Sequence, residues 1–449
     1  MVAKKRTPNP ALAGLLDQAG LTRTQLAQRV NRLGEQAGLD LHYGQSTVSH
    51  WISGTRPRLE ARALIVEVIS ARLGRPVTHA EAGLTPAPSV LGGESTDTVE
   101  DLMDLGRADM DPSRRGVLAA GVFSAALAVP GFSDAAHAAE QPAAPGRRAT
   151  RVGPSQVQAV RTMTERIAGI LDELGAGHAR PMAAAFLVNT MGPWLHAQAS
   201  DRVRHDMLAA ASDLTYLTGW MAMYEKAHGL GQTYYVKALK LATEAQDHVT
   251  YCRTLRGMSL QASNLGHGRR SLELADSAAE AARSAGPRLV AFLRGQQAHA
   301  ASMVGDRRLA HSRLREAEEA LDRADSRRDA IGGYDRTAWL FHVSHVLHEE
   351  RDLPGSIRAL QQSIRVQPKV ERQGRAHAHA LLAQRQYAHG HLDASCASWG
   401  RFLDDYEHIS SARGDDHFET LRGQLRRHVT ARPVREMAGR VREVAALKK

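Results

Sequence analysis

Apolar residues recur at helical spacing almost throughout the chain, and period-two alternation is absent, so the pattern predicts an all-α protein. Near the start, Leu12, Leu15 and Leu16 share one face and Gly20 breaks the chain. Thr22 then serves as N-cap of a second helix opening Arg23-Thr24-Gln25-Leu26-Ala27. A third helix begins near Ser46. There Val48, Trp51 and Ile52 fall at i, i+3, i+4 as a buried face, which leaves Gln45, Ser46, Ser49, His50 and Ser53 outward, and Gly54 ends the helix. A further helix runs from Ala63-Leu64-Ile65-Val66 to Leu73-Gly74, and the bundle closes at Leu84, giving a first domain over 1–84.

Residues 85–154 read as a linker. The stretch 85–111 carries Pro, Gly, Ser and seven acidic side chains, the composition of a solvated connection. It is followed by Ser113-Arg114-Arg115-Gly116-Val117-Leu118 and an apolar run, 113–132 in all, leading towards Ala136-His137-Ala138-Ala139. In isolation this resembles a twin-arginine export signal. Its place after a helical bundle argues against export, and the run before Pro130 is too short to span a bilayer. The expected role is an apolar helix packed against a domain or joining two, with surface association to a membrane as the alternative. The basic start, Lys4-Lys5-Arg6, has no apolar core behind it and does not read as a secretion signal.

From Ser155 to residue 449 Ala, Leu, Arg, Glu and Gln dominate, with Gly or Pro at short intervals. Ala298, Ala301, Gly305-Asp306, Ala310, Leu314 and Ala317 have the spacing of a tetratricopeptide repeat, in which small residues let two antiparallel helices approach and Gly-Asp makes the turn. Anchoring on the small residue at the start of the second helix gives Gly231, Ser271, Ala310, Ser356 and Ser395. Four residues on stand Tyr235, Ala275, Leu314, Leu360 and Trp399, and seven on stand Ala238, Ala278, Ala317, Ser363 and Phe402. Pro368 takes the place of a closing proline. The intervals of 40, 39, 46 and 39 residues describe long, degenerate repeats stacked into a solenoid whose concave surface suits a peptide or protein. A last helix, Leu421 to Leu447, is strongly basic and either caps the array or meets an anionic partner.

Charge sharpens this division. The chain of 449 residues has a net charge of +10, and Lys plus Arg outnumber Asp plus Glu by 11 to 6 over 1–84 but fall to 6 against 9 over 85–154. The basic excess therefore sits with the outward residues of the third helix. Gln bonds an adenine edge bidentately, Ser and His donate or accept at base edges, and Arg neutralises phosphates. Gln45, Ser46, Ser49 and His50 are accordingly candidate base contacts in double-stranded DNA. Arg23, Gln25, Arg56 and Arg58 are candidate phosphate contacts, with Lys4-Lys5-Arg6 as a basic arm.

The strings Thr24-Gln25-Leu26-Ala27 and Ser46-Thr47-Val48-Ser49-His50-Trp51-Ile52-Ser53-Gly54 resemble the helix-turn-helix of the Cro/repressor-type (XRE-like) family. The resemblance implies that the third helix enters the major groove and that the protein acts as a homodimer on paired half-sites. One departure is large: Ala27 and Val48 stand twenty-one residues apart, twice the family's spacing, with Asn31 to Tyr43 inserted. Either the second helix runs on through Val30 and Leu33, or the insertion covers part of the surface. With the linker, the Arg-Arg segment, the repeats, and Gly219-Trp220-Met221-Ala222, His228-Gly229-Leu230 and Tyr234-Tyr235, the whole is similar to actinobacterial regulators of sporulation and antibiotic production.

Nothing in the sequence supports an enzyme or a cofactor. Walker, GxSxG and dinucleotide patterns are absent, and Asp404-Asp405 and Asp415-Asp416 are adjacent rather than helically aligned. His342, His345 and His348 at i, i+3, i+6 lack an HExxH context and read as packing or solvated histidines rather than a metal site. Two distant cysteines, Cys252 and Cys396, give no zinc or disulfide framework and suit a reducing cytoplasm. The expectation is a cytoplasmic transcriptional regulator whose repeats bind a peptide or protein that controls DNA binding or oligomerisation. The alternatives are an interaction scaffold, membrane-associated or not, and a sensor of a small secreted peptide.

Overall fold

The computed structural model describes residues 8–36, 39, 41–73, 77, 81–84, 97–111, 123–125, 127, 129–132, 151–282, 285–324 and 334–448. Among these residues the protein is all helical: no strand forms, and one isolated bridge joins Arg151 to Gln198. No described helix is long and apolar enough to cross a membrane.

Four helices, α1 (Pro10–Gln18), α2 (Arg23–Gln36), α3 (Gln45–Ile52) and α4 (Leu59–Leu73), surround a core of Leu12, Leu16, Leu26, Val30, Val48, Trp51, Leu64, Ile65 and Ile69. Local chemistry sets their ends. Asn9 caps α1, its Oδ1 accepting from the Leu12 N–H at 3.0 Å while its amide donates to Ala82 O, so one side chain joins the start of the bundle to its end. Gly20 follows α1 at φ +58, a conformation that favours glycine. The Thr22 hydroxyl accepts from Gln25 N–H and the Gln25 carbonyl accepts from Thr22 N–H, a reciprocal cap at the start of α2.

The stretch 97–111 departs from the expectation of a solvated linker. Asp97 caps α5 (Thr98–Met110), and one face of this helix buries Leu102, Met103, Leu105, Ala108 and Asp109 against the array that follows. Its acids account for the difference, because two of them are partners rather than solvated charge. Asp109 accepts from Arg180 and from Tyr234 OH, and Asp101 pairs with Lys237, which is nearly buried. The described part of the apolar segment is likewise not the expected helix. Residues 123–125, 127 and 129–132 are non-helical, and side chains of the array take up the peptide groups that a helix would bond internally. Arg114 and Arg115 lie outside the described residues, as do Lys4, Lys5 and Arg6.

The array opens with α6 (Pro154–Leu174) and α7 (Ala176–Phe186), a π-helical turn over Leu187–Met191, and the short α8 (Gly192–Leu195). Consecutive pairs then stack: α9 (Asp201–Tyr224) with α10 (His228–Glu244), α11 (His248–Asn264) with α12 (Gly268–Ala281), and α13 (Pro287–Met303) with α14 (Arg307–Asp322). They continue with α15 (Arg336–Glu349) and α16 (Leu353–Val366), α17 (Arg372–Ala388) and α18 (Leu392–Tyr406), then α19 (Ala412–Arg426) and α20 (Arg432–Leu447). The anchors Gly231, Ser271, Ala310, Ser356 and Ser395 fall on the fourth residue of α10, α12, α14, α16 and α18, and all are buried. Four of them meet a small residue twelve positions earlier: Gly219 lies against Gly231, the Ser259 hydroxyl donates to Ser271 O, Ser344 to Ser356 O, and Ser395 to Ala383 O.

A left-handed residue stands two positions before the second helix of each of these five pairs: Lys226, Gly266, Gly305, Arg351 and Gly390. The basic terminal segment is two helices rather than one. Pro433 lacks the N–H that a continuing helix needs, and it sits instead in the first turn of α20. The array curls until its beginning meets its later pairs. Gly177 N–H donates to Ser410 O and Ser410 N–H to Leu174 O, while Gly175, at φ +92, leaves no room for a Cβ beside Ser410.

Candidate functional site

The candidate DNA-contact face is built by α2 and α3. Val48 and Trp51 bury one side of α3, and Tyr43 meets Trp51 edge-on with centroids 5.0 Å apart, so the opposite side is fixed outward. Gln45, Ser46 and His50 are exposed there, and Ser49 is half-buried. Arg23, at the start of α2, donates through Nη1 to Ser49 Oγ at 3.1 Å, and Ser49 Oγ in turn donates to Gln45 O. The Ser49 hydroxyl is thus engaged within the face, leaving Gln45, Ser46 and His50 as its outward polar groups. Gln25 is exposed, but its carbonyl is committed to the cap of α2, so only its amide NH2 points away from the protein. Arg56 and Arg58, beyond the end of α3, are exposed.

The insertion between α2 and α3 takes the first of the two courses the sequence left open. The helix runs on to Gln36, and the chain then folds back along it. Asn31 clamps the return: its amide donates to Tyr43 O and its carbonyl accepts from Tyr43 N–H, both at 2.9 Å. Gly34 lets Leu41 lie so close that a Cβ would stand 2.5 Å from its Cδ1. Sequence reasoning missed both residues, although an Asn on the inner face of a helix and a Gly one turn later were the available signals.

A second feature lies across the first helices of successive pairs. A cavity of about 260 Å³ is lined by Ser263, His299, His345, His348, Gln384 and Arg385, among others. Burial drives the imidazoles towards their neutral form: His299 is pulled down to about 4, and His345 lies well below the usual histidine range. His299 packs on His345, His345 meets Phe341 edge-on, and His342 Nδ1 bonds the buried Tyr334 hydroxyl at 2.9 Å. Of the three histidines singled out in the sequence, His342 and His345 are therefore packed and His348 is exposed, and no group of metal-binding side chains gathers among the described residues. Arg385, 3% exposed, donates to the Ser344 hydroxyl, and burial lowers it to about 10, so it keeps its charge at neutral pH. Both cysteines are buried free thiols, with Cys252 pushed up to about 12 by burial.

The fold defined by these observations is a small helical bundle followed by a curled array of helix pairs. Residues 12–85, which hold that bundle, match the family model of the SP15 N-terminal domain, and the chain is similar to that family over this stretch. No curated protein matches the chain.

Proposed function

We propose that this protein is a cytoplasmic DNA-binding transcriptional regulator whose array binds a peptide or protein and thereby controls DNA binding or oligomeric state. The observation that carries the reading is α3: Val48 and Trp51 lock one side into the core, and Gln45, Ser46 and His50 stand outward beside exposed Arg23, Arg56 and Arg58. A short helix held this way presents side chains to a major groove while flanking guanidinium groups take phosphates. On the ligand side, the buried cation of Arg385 at the cavity of α11, α13, α15 and α17 favours a ligand with acceptor groups.

Selection of sequences from a random duplex pool by the full chain tests the proposal. An enriched motif is expected, with affinity falling steeply as salt rises. Gln45→Ala should relax one position of that motif, at about 1–3 kcal/mol for a lost bidentate contact. Arg56→Ala with Arg58→Ala should weaken all sequences alike and flatten the salt dependence. Failure to enrich any motif would overturn the proposal, and equal loss on every sequence for Gln45→Ala would remove the base-contact assignment.

A further inference from the structure

The described residues of the apolar segment lie in a bed that takes a non-helical chain, with a turn in which Leu127 N–H donates to Ser124 O at 3.5 Å. The side-chain amide of Gln232, at the start of α10, takes both peptide groups of Ser124: Nε2 donates to Ser124 O and Oε1 accepts from Ser124 N–H, each at 2.7 Å. This is the pairing a neighbouring strand would offer. Arg270, at the start of α12, donates to Leu127 O at 2.6 Å, and Tyr251 OH, in α11, donates to Pro130 O at 2.8 Å. An aromatic residue anchors each end. Phe123 is 4% exposed and stacks on His267, while Phe132 stacks on His248 with centroids 3.9 Å apart and meets Tyr251 edge-on.

The same segment touches the bundle. Ala125 N–H donates at 2.7 Å to Oε1 of Glu67, a carboxylate of α4 that is 6% exposed. Residues 124 and 125 are therefore held from both sides, by the array and by the bundle.

We propose that the bed formed by α10, α11 and α12 is a binding site for a non-helical apolar peptide with aromatic residues nine positions apart, occupied in the free protein by the chain's own residues 123–125, 127 and 129–132. The bed reads main-chain groups and two rings, so it accepts another chain of that chemistry. Its resident is tethered, at an effective concentration in the millimolar range, and a free peptide competes only when the resident is weakened. Displacement would also break the link from Ala125 to Glu67. That this changes DNA affinity rests on the proposed function, but occupancy of the bed does not, and it is tested without DNA.

A fluorescent peptide spanning residues 121–133, with terminal lysines for solubility, is titrated with the full chain and polarisation is read. The variant Phe123→Ser with Phe132→Ser alters the resident and leaves the bed intact; it should bind the peptide at least tenfold more tightly than the wild type. Adding Gln232→Ala and Arg270→Ala should remove at least that tenfold. Equal affinity of wild type and resident variant, or undiminished binding after the bed is altered, would overturn the proposal. Hydrogen exchange of the otherwise wild-type chain gives a second reading should a multiple variant fold poorly. Gln232→Ala should speed exchange at Ser124 at least tenfold, and unchanged exchange there would also overturn it.

Discussion

Replacing Asp109 by Ala tests whether α5 is a docked element or a spacer. The carboxylate is 2% exposed, Arg180 beside it is 7% exposed, and Tyr234 OH donates to its second oxygen at 3.1 Å. Removing it leaves a guanidinium and a phenol buried without their acceptor, and breaking a buried pair in this way costs about 3–5 kcal/mol. The damage should be local, because both of these bonds join α5 to the array. Since about 1.4 kcal/mol is a factor of ten, exchange of the α5 amides should accelerate between about a hundredfold and several thousandfold, up to the limit set by the helix's own opening. Asp104→Ala is the internal control. Asp104 pairs with Arg107 at the surface, both half or more exposed, where such pairs contribute at most about 1 kcal/mol. The measurement is hydrogen exchange followed by mass spectrometry over 98–110. Equal effects of the two substitutions would refute the docking argument.

Arg351 holds φ +68 at the turn position where three other pairs carry glycine, and a non-glycine residue there costs about 1–2 kcal/mol. Arg351→Gly should therefore raise the melting temperature and Gly305→Ala, at φ +84 with open space around it, should lower it; the same sign for both would exclude backbone strain as the cause. Burial lowers His228, His299, His379 and His417 to about 4, so between pH 6.5 and 4 the unfolded chain binds protons that the folded chain does not. The stability these groups confer is complete above pH 6.5 and is lost as pH falls through that window. Thermal melts from pH 7.5 to 4.5 should show an early decline, blunted in His299→Gln; a flat profile down to pH 5 would contradict it.

The helix pairs were legible because their signal is steric and repeats. A small residue where two helices cross recurs in each of the five pairs, and a bulky one follows a turn later in four of them, from Gly231 and Tyr235 to Ser395 and Trp399, with Ala275 the exception. What was not legible depends on partners distant in sequence. The acids of 97–111 read as solvated until Arg180 and Lys237 are placed beside them, and nothing within that stretch announces a partner more than seventy residues away. The apolar run to Phe132 is as good a helix as a strap by composition. Its conformation is decided by Gln232, Tyr251 and Arg270, which supply the hydrogen bonds a helix would have made for itself. On the candidate DNA face, burial of Val48 and Trp51 follows from periodicity, whereas the engagement of Ser49 by Arg23 across 26 residues does not.

These long-range contacts change what the connection between bundle and array does. A solvated linker would let the two move independently, and occupancy of the array would have no mechanical route to α3. Here α5 is tied to the array through Asp109 and Asp101, and the described residues of 123–132 lie on α10, α11 and α12 with Glu67 of α4 on their other side. Their bed draws on two successive helix pairs, with Gln232 in one and Tyr251 and Arg270 in the next. A ligand that alters the angle between those pairs therefore shifts the hydrogen bonds that seat Ser124 and, through Ala125, the contact with α4. On the proposed function, this contact is where the geometry of the array would bear on the bundle, the physical requirement for a regulator that senses with one part and acts with the other.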